Sequence, residues 1–356
     1  MRGLAAIAVM FAHLQGVEAR QADSGGILPP DMMSGVSGVD LFFVISGFIM
    51  VWIAGETDTG VRQSGKFLFA RVMRIYPLWW LFAGVMAGYF FYAYGVPWYV
   101  EVVTLLGVDG PEHLIKSFLL IPHDALPILP VGWTLVHEMY FYIVFAGVLM
   151  LPVSWRGPAC ALWASIILAS ISAQLTGLHA TSILNLILFP MTLQFLMGAA
   201  IAWIIKGGWT QFAWPALFTG LIWLIVAAVT IDFSKGGDLQ PVWRTFGYGP
   251  AFALLIYAAI TLETRAKSGS FTPDALVRLG DWSYSLYLCH LLVLSAVGRL
   301  FFDAFDQDGV IDNIVFLIIA PIACVAVAAA TFYAFEKPVV SLSRNWREKL
   351  FRSKPD

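Results

Sequence analysis

Apolar runs of about twenty residues, long enough to cross the roughly 30 Å hydrocarbon core of a bilayer as helices, recur along the whole of this 356-residue chain. Inside a membrane a backbone has no water to bond, so each run must close its own hydrogen bonds as a helix. Only 12% of the residues are charged and 59% are hydrophobic, against about 25% and 45–50% in an ordinary soluble domain. That balance excludes a water-soluble globule, a disordered chain, collagen and a disulfide scaffold. The three cysteines, Cys160, Cys289 and Cys324, sit inside apolar stretches and behave there as small hydrophobes. The net charge of −2 points to no nucleic-acid surface.

The expected fold is therefore an all-α polytopic membrane protein of about ten spans, at 3–19, 36–55, 76–95, 131–152, 158–176, 186–205, 212–231, 248–264, 281–301 and 311–335. Gly3–Val17 is followed by Glu18-Ala19-Arg20 with no small-residue cleavage site, which makes it the first span rather than a signal peptide. Short cytoplasmic loops are enriched in Lys and Arg. With the N-terminus inside, sixteen of the 21 basic residues fall on the cytoplasmic side, among them Arg2, Arg62, Lys66, Arg71, Arg74 and the cluster from Lys337 to Lys354. Arg20, Lys116, Lys235, Arg244 and Arg299 fall outside, where acids such as Asp109, Glu112 and Asp124 also collect. Both termini are expected in the cytoplasm. A membrane domain over 1–340 is followed by a basic tail over 341–356. In the longest outer connection, about 96–130, the run Ile121 to Pro130 holds too many prolines for a regular helix.

Ionisable groups inside spans cost about 2.5–3.5 kcal/mol or more each and mark function by default. Here they are His13, Asp40, His137, Glu138 and His290. Counted along their helices, His13, Asp40 and Glu138 fall in the outer half of the bilayer, where they could line one cavity. A His beside carboxylates can serve as a general base, its acidic partner fixing the tautomer. His137, adjacent to Glu138, points to a different helix face. His290 could equally be one polar tip on a packing stripe. At the inner side, Arg71 and Arg74 are three apart and form a fork of donors suited to phosphate. Arg2 lies eleven residues, about 16 Å of helix, below His13. A donor with phosphates at the inner mouth and a reactive group on a long arm would bridge that distance, as a coenzyme A thioester does. No metal is called for.

Several motifs together resemble one family, the membrane acyltransferases of the acyltransferase-three type. Arg2 through His13 matches its arginine, ten residues, histidine signature. Arg71-Val72-Met73-Arg74 matches its arginine, two residues, arginine motif. Gly38 to Phe48, Gly132 to Tyr142, Ser283 to His290 and Glu336-Lys337-Pro338 also resemble it, so the likeness covers essentially the whole chain. The chain departs from the pattern in its lead, since only Met1 precedes Arg2. The finer likeness is to the exopolysaccharide O-acetyltransferase branch. The resemblance implies a ten-helix bundle in the inner membrane that passes an acyl group, commonly acetyl from cytoplasmic acetyl-CoA, to a hydroxyl of an outward-facing carbohydrate. It implies His13 as the base, with Asp40 or Glu138 orienting it or the sugar, and Arg2, Arg71 and Arg74 on the donor's phosphates. Ser46, Trp133, Tyr140 and His290 are candidates for substrate contact. The rival reading of the same intramembrane His and carboxylates is the proton relay of a polysaccharide or small-molecule transporter or flippase. The repeated half-structure usual in such proteins is not visible.

Overall fold

The computed structural model describes residues 1–22, 26–54, 59–175, 182–233, 240–265, 273–304 and 310–351. Residue 55 of the second expected span, residue 176 of the fifth, Lys235, and the tail beyond 351 lie outside them. In chain order the helices are α1 (Arg2–Gln21), α2 (Gly38–Ile53), α3 (Val61–Tyr94), α4 (Val100–Leu106), α5 (Gly110–Leu119), α6 (Trp133–Met150) and α7 (Val153–Leu175). There follow α8 (Ser182–Ile187), α9 (Thr192–Lys206), α10 (Ala213–Thr230), α11 (Gln240–Arg265), α12 (Asp274–Ala304), α13 (Val310–Thr331) and α14 (Lys337–Leu350). Among the described residues there is no strand, and nine helical segments are long and apolar enough to cross a membrane. The protein is an all-α polytopic membrane protein. The exception among the expected spans is α1, whose second half carries His13, Gln15, Glu18, Arg20 and Gln21 and is too polar to qualify.

The chain forms two units, Met1–Ile53 with Leu193–Phe332, and Ala54–Thr192 with Tyr333–Asp356. In the first unit α1 is packed over much of its surface by α12, α2 and α13. Gly3 lies against Leu279 and Gly298 against Gln21, so α1 and α12 run parallel and in step. After α1 the chain turns on Glu18, whose buried carboxylate accepts the backbone N–H groups of Ile27 at 3.0 Å and Leu28 at 3.1 Å. It then doubles back as a 3₁₀ segment, Pro30–Ser37. Gly35 and Gly38 lie against the carbonyls of Ala8 and Ala5, where a Cβ would collide.

In the second unit α3 starts at Val61, fifteen residues before the expected boundary, because the arginine-bearing segment continues the helix instead of forming a loop. Helices α3 and α6 are antiparallel. Ser64 Oγ donates to Ala146 O at 2.7 Å at one end, and Gly132 meets the Trp79 ring at the other. The carbonyls of Ser117, Phe118 and Leu119, at the end of α5, accept from Trp79 Nε1 (3.0 Å), Trp80 Nε1 (2.9 Å) and the Tyr76 hydroxyl (2.8 Å). Residues 121–129 are non-helical, as their prolines require. The expected span 186–205 is interrupted between α8 and α9, where Pro190 has no N–H to continue a ladder. The amphipathic helix α14 packs along α3.

Candidate active site

In the first unit the structure brings together His13 and His290, from α1 and α12. His13 Nδ1 lies 3.1 Å from His290 Nε2, with ring centroids 5.0 Å apart. Each ring also faces a carbonyl one helical turn earlier, His13 Nδ1 to Val9 O at 2.9 Å and His290 Nδ1 to Leu286 O at 3.1 Å. A carbonyl only accepts, so each Nδ1 must carry its hydrogen. The His13 Nδ1–H is then shared between Val9 O and the bare Nε2 of His290, and every contact is satisfied. The opposite tautomers would set two lone pairs against two carbonyl oxygens. By this reasoning His13 holds its lone pair on Nε2, to which no partner falls among the described residues. His290 is fully buried. Its place against His13, rather than on a packing stripe, is what sequence spacing left open.

Asp40 does not join this pair. Its fully buried carboxylate accepts from Arg244 at 2.7 and 3.2 Å and from Gln194 Nε2 at 2.7 Å, while the guanidinium lies 5.3 Å over the Phe233 ring. Helices α2, α9 and α11 are thus tied at one point. Arg244 is 6% exposed, so it is a structural cation inside α11 and not a loop charge. Ser46 is half-buried on α2, and Arg2 is the first residue of α1.

In the second unit the antiparallel register sets Glu138 level with Arg71, and this corrects the division into outer acids and inner arginines. The Tyr142 hydroxyl donates to Glu138, four residues earlier on α6, and itself lies in hydrogen-bonding reach of Arg71. The Arg71 guanidinium sits 5.8 Å from the Phe67 ring and 5.9 Å from the Tyr142 ring, and its Nε is buried with no partner among the described residues. Arg74 contributes to the same field.

The sequence of residues 1–333 matches a family described as an acyltransferase domain. This chain belongs to that family. It is 32% identical to the exopolysaccharide production protein ExoZ of Rhizobium meliloti (strain 1021), over 74% of this chain and 78% of that protein. It is 26% identical to the acyltransferase MdmB of Streptomyces mycarofaciens, over 84% and 79% of the two chains. It is 25% identical to nodulation protein 10 of Rhizobium leguminosarum bv. viciae, over 96% and 92%. No solved structure matches it. The protein is a multi-pass membrane acyltransferase.

In this acyltransferase the two remaining sequence candidates stand together at α6. The Tyr140 hydroxyl donates to Ile187 O at 3.0 Å. Trp133 lines a cavity of about 250 Å³ beside His123, His137 and Phe189. Sequence reasoning missed Tyr142, Gln194 and Arg244 as site neighbours. Tyr142 could have been found from its i+4 spacing to Glu138, and Gln194 as the polar break in an apolar run. Among the described residues no three His, Cys, Asp or Glu side chains group as a metal site would.

Proposed function

We propose that this acyltransferase moves an acetyl group from cytoplasmic acetyl-CoA to a hydroxyl of an extracytoplasmic carbohydrate, an exopolysaccharide or its lipid-linked precursor, across the bacterial inner membrane. With Arg71 and Arg74 set aside, fourteen basic residues still fall on one side of the alternating spans and argue for cytoplasmic termini, with 1–340 as the membrane domain and 341–356 as a cytoplasmic tail. The likeness to an exopolysaccharide production protein supports the acceptor class. The observation that carries the chemistry is the His13–His290 pair, which leaves His13 Nε2 as a base in a fixed orientation.

In this reading His13 Nε2 takes the proton of the acceptor hydroxyl as its oxygen attacks the thioester carbonyl carbon. The carbon–sulfur bond then breaks, and the imidazolium returns its proton to the departing thiolate. The charge that builds on His13 is met through Nδ1–H by Val9 O and His290 Nε2. Arg71 suits the donor's phosphates, because its buried Nε–H is the kind of donor a phosphate oxygen would satisfy. Arg74 and Arg2 add positive charge to the same task. Glu138, through Tyr142, orients Arg71. Asp40, with its oxygens taken, positions α2.

The test is purified protein with labelled acetyl-CoA and deacetylated oligosaccharides from the producing cells. The wild type is expected to release free CoA and a labelled ester. His13→Ala is expected to fold and lose transfer, and His290→Phe to keep donor binding while kcat falls. Labelled sugar carried across vesicles without ester formation would favour the transport reading, and transfer retained in His13→Ala would remove the base.

A further inference from the structure

We propose that the cavity at the start of α6 seats one sugar ring of the acceptor, an inference that rests on the carbohydrate reading above. Its volume of about 250 Å³ falls just under the 300–1,000 Å³ typical of small-molecule sites, which suits one ring and not a chain. The walls combine two kinds of surface that a pyranose needs. Trp133 and Phe189 supply flat apolar area, with His137 wedged between them at 5.5 Å from the Trp133 centroid and 4.2 Å from that of Phe189. His123, Asp124 and Asn185 supply polar groups from the 121–127 segment and from α8.

The two imidazoles offer opposite halves of a hydrogen bond. His137 Nδ1–H donates to Trp133 O at 2.8 Å, which leaves Nε2 as an acceptor. His123 Nδ1 accepts the Ala125 N–H at 3.1 Å, which leaves Nε2–H as a donor. Partial burial and the nearby Lys116 lower the His123 pKa below its usual value, so this donor form persists at neutral pH. A hydroxyl both donates and accepts, and a ring carrying several of them matches such a mixed lining. Among the described residues no Lys or Arg lines the cavity, so a diphosphate would find no guanidinium or ammonium in its wall to pair with. An acyl chain would leave the Nε2 atoms of both imidazoles without partners. The cavity also opens in the 96–130 connection, which the charge pattern assigns to the side where the acceptor lies.

Two measurements test the assignment. In the transfer assay, His123→Ala and Asn185→Ala are each expected to raise the acceptor KM about tenfold, the worth of one ligand hydrogen bond. The acetyl-CoA KM should stay unchanged and kcat nearly so. Saturation-transfer NMR with methyl glucoside and methyl galactoside is expected to show binding to the wild type that Trp133→Ala loses. If transfer occurs and neither variant shifts the acceptor KM, the cavity assignment falls while the acetylation reading stands. If no carbohydrate is acylated yet the glycosides bind and Trp133→Ala abolishes this, the acetylation reading falls and the site remains. Glycoside binding that survives in all three variants overturns the assignment whatever the kinetics.

Discussion

At His13 the protein backs one imidazole with another and with a main-chain oxygen, where a carboxylate would be the common choice. At Asp40 it does the reverse, using an acid and a guanidinium as a tie between helices. Removing one partner of a buried ion pair strands the other and costs about 3–5 kcal/mol, whereas replacing both by apolar groups is often neutral. Asp40→Leu and Arg244→Leu are therefore each expected to lower the thermal midpoint in detergent sharply, and the double variant to recover most of the loss. Recovery of acetyl transfer alongside folding in the double variant would mark the pair as structural. A well-folded but inert double variant would return Asp40 to the chemistry. His13 and Asp40 were legible in the sequence because an ionisable group in an apolar span is costly wherever it points. Arg244 was not, since a charge rule counts a cation near the start of a span as a loop residue and carries no information on what it faces.

Where two helices meet, the decisive residues are the small ones. A Cβ on Gly47 of α2 would fall on the carbonyl oxygen of Phe195, and one on Gly198 of α9 on that of Val44. The two backbones touch, as small residues allow within membranes. Gly198→Ala must part them, at about 1–3 kcal/mol for overpacking. Gly84 and Gly88, inside α3 with nothing within 4 Å of a built Cβ, are the matched controls, and alanine there is expected to gain about 0.5–1 kcal/mol. Thermal unfolding of Gly198→Ala beside Gly84→Ala reads both signs in one experiment, and equal midpoints would contradict the close approach. The centres of most spans were legible from hydropathy. Their ends were not. The segment from Val61 to Ile75 reads as a charged loop, yet it is helical because Ser64, Phe67 and Arg71 have partners on α6. The span at 186–205 reads as continuous because hydropathy does not register the N–H that Pro190 lacks.

Over the whole molecule, a match across residues 1–333 agrees with what the ordered motifs implied, while the contacts of Tyr142 with Glu138 and Arg71, the histidine pair and the α6 cavity are visible only in the folded chain. The length of α3 limits how the protein can sit in its bilayer. Its 34 residues rise about 51 Å at 1.5 Å each, against a hydrocarbon layer of about 30 Å, so the rod either leans far over or stands clear of lipid at one end. Because α6 lies against its first half, Arg71 and Arg74 sit level with the middle of that span, and an anion bound there must arrive through the protein and not along the leaflet. Turnover is therefore expected to be the same in neutral vesicles and in vesicles enriched in phosphatidylglycerol, as free-thiol release would record. A slowing that excess donor reverses would instead put the two guanidinium groups among the headgroups.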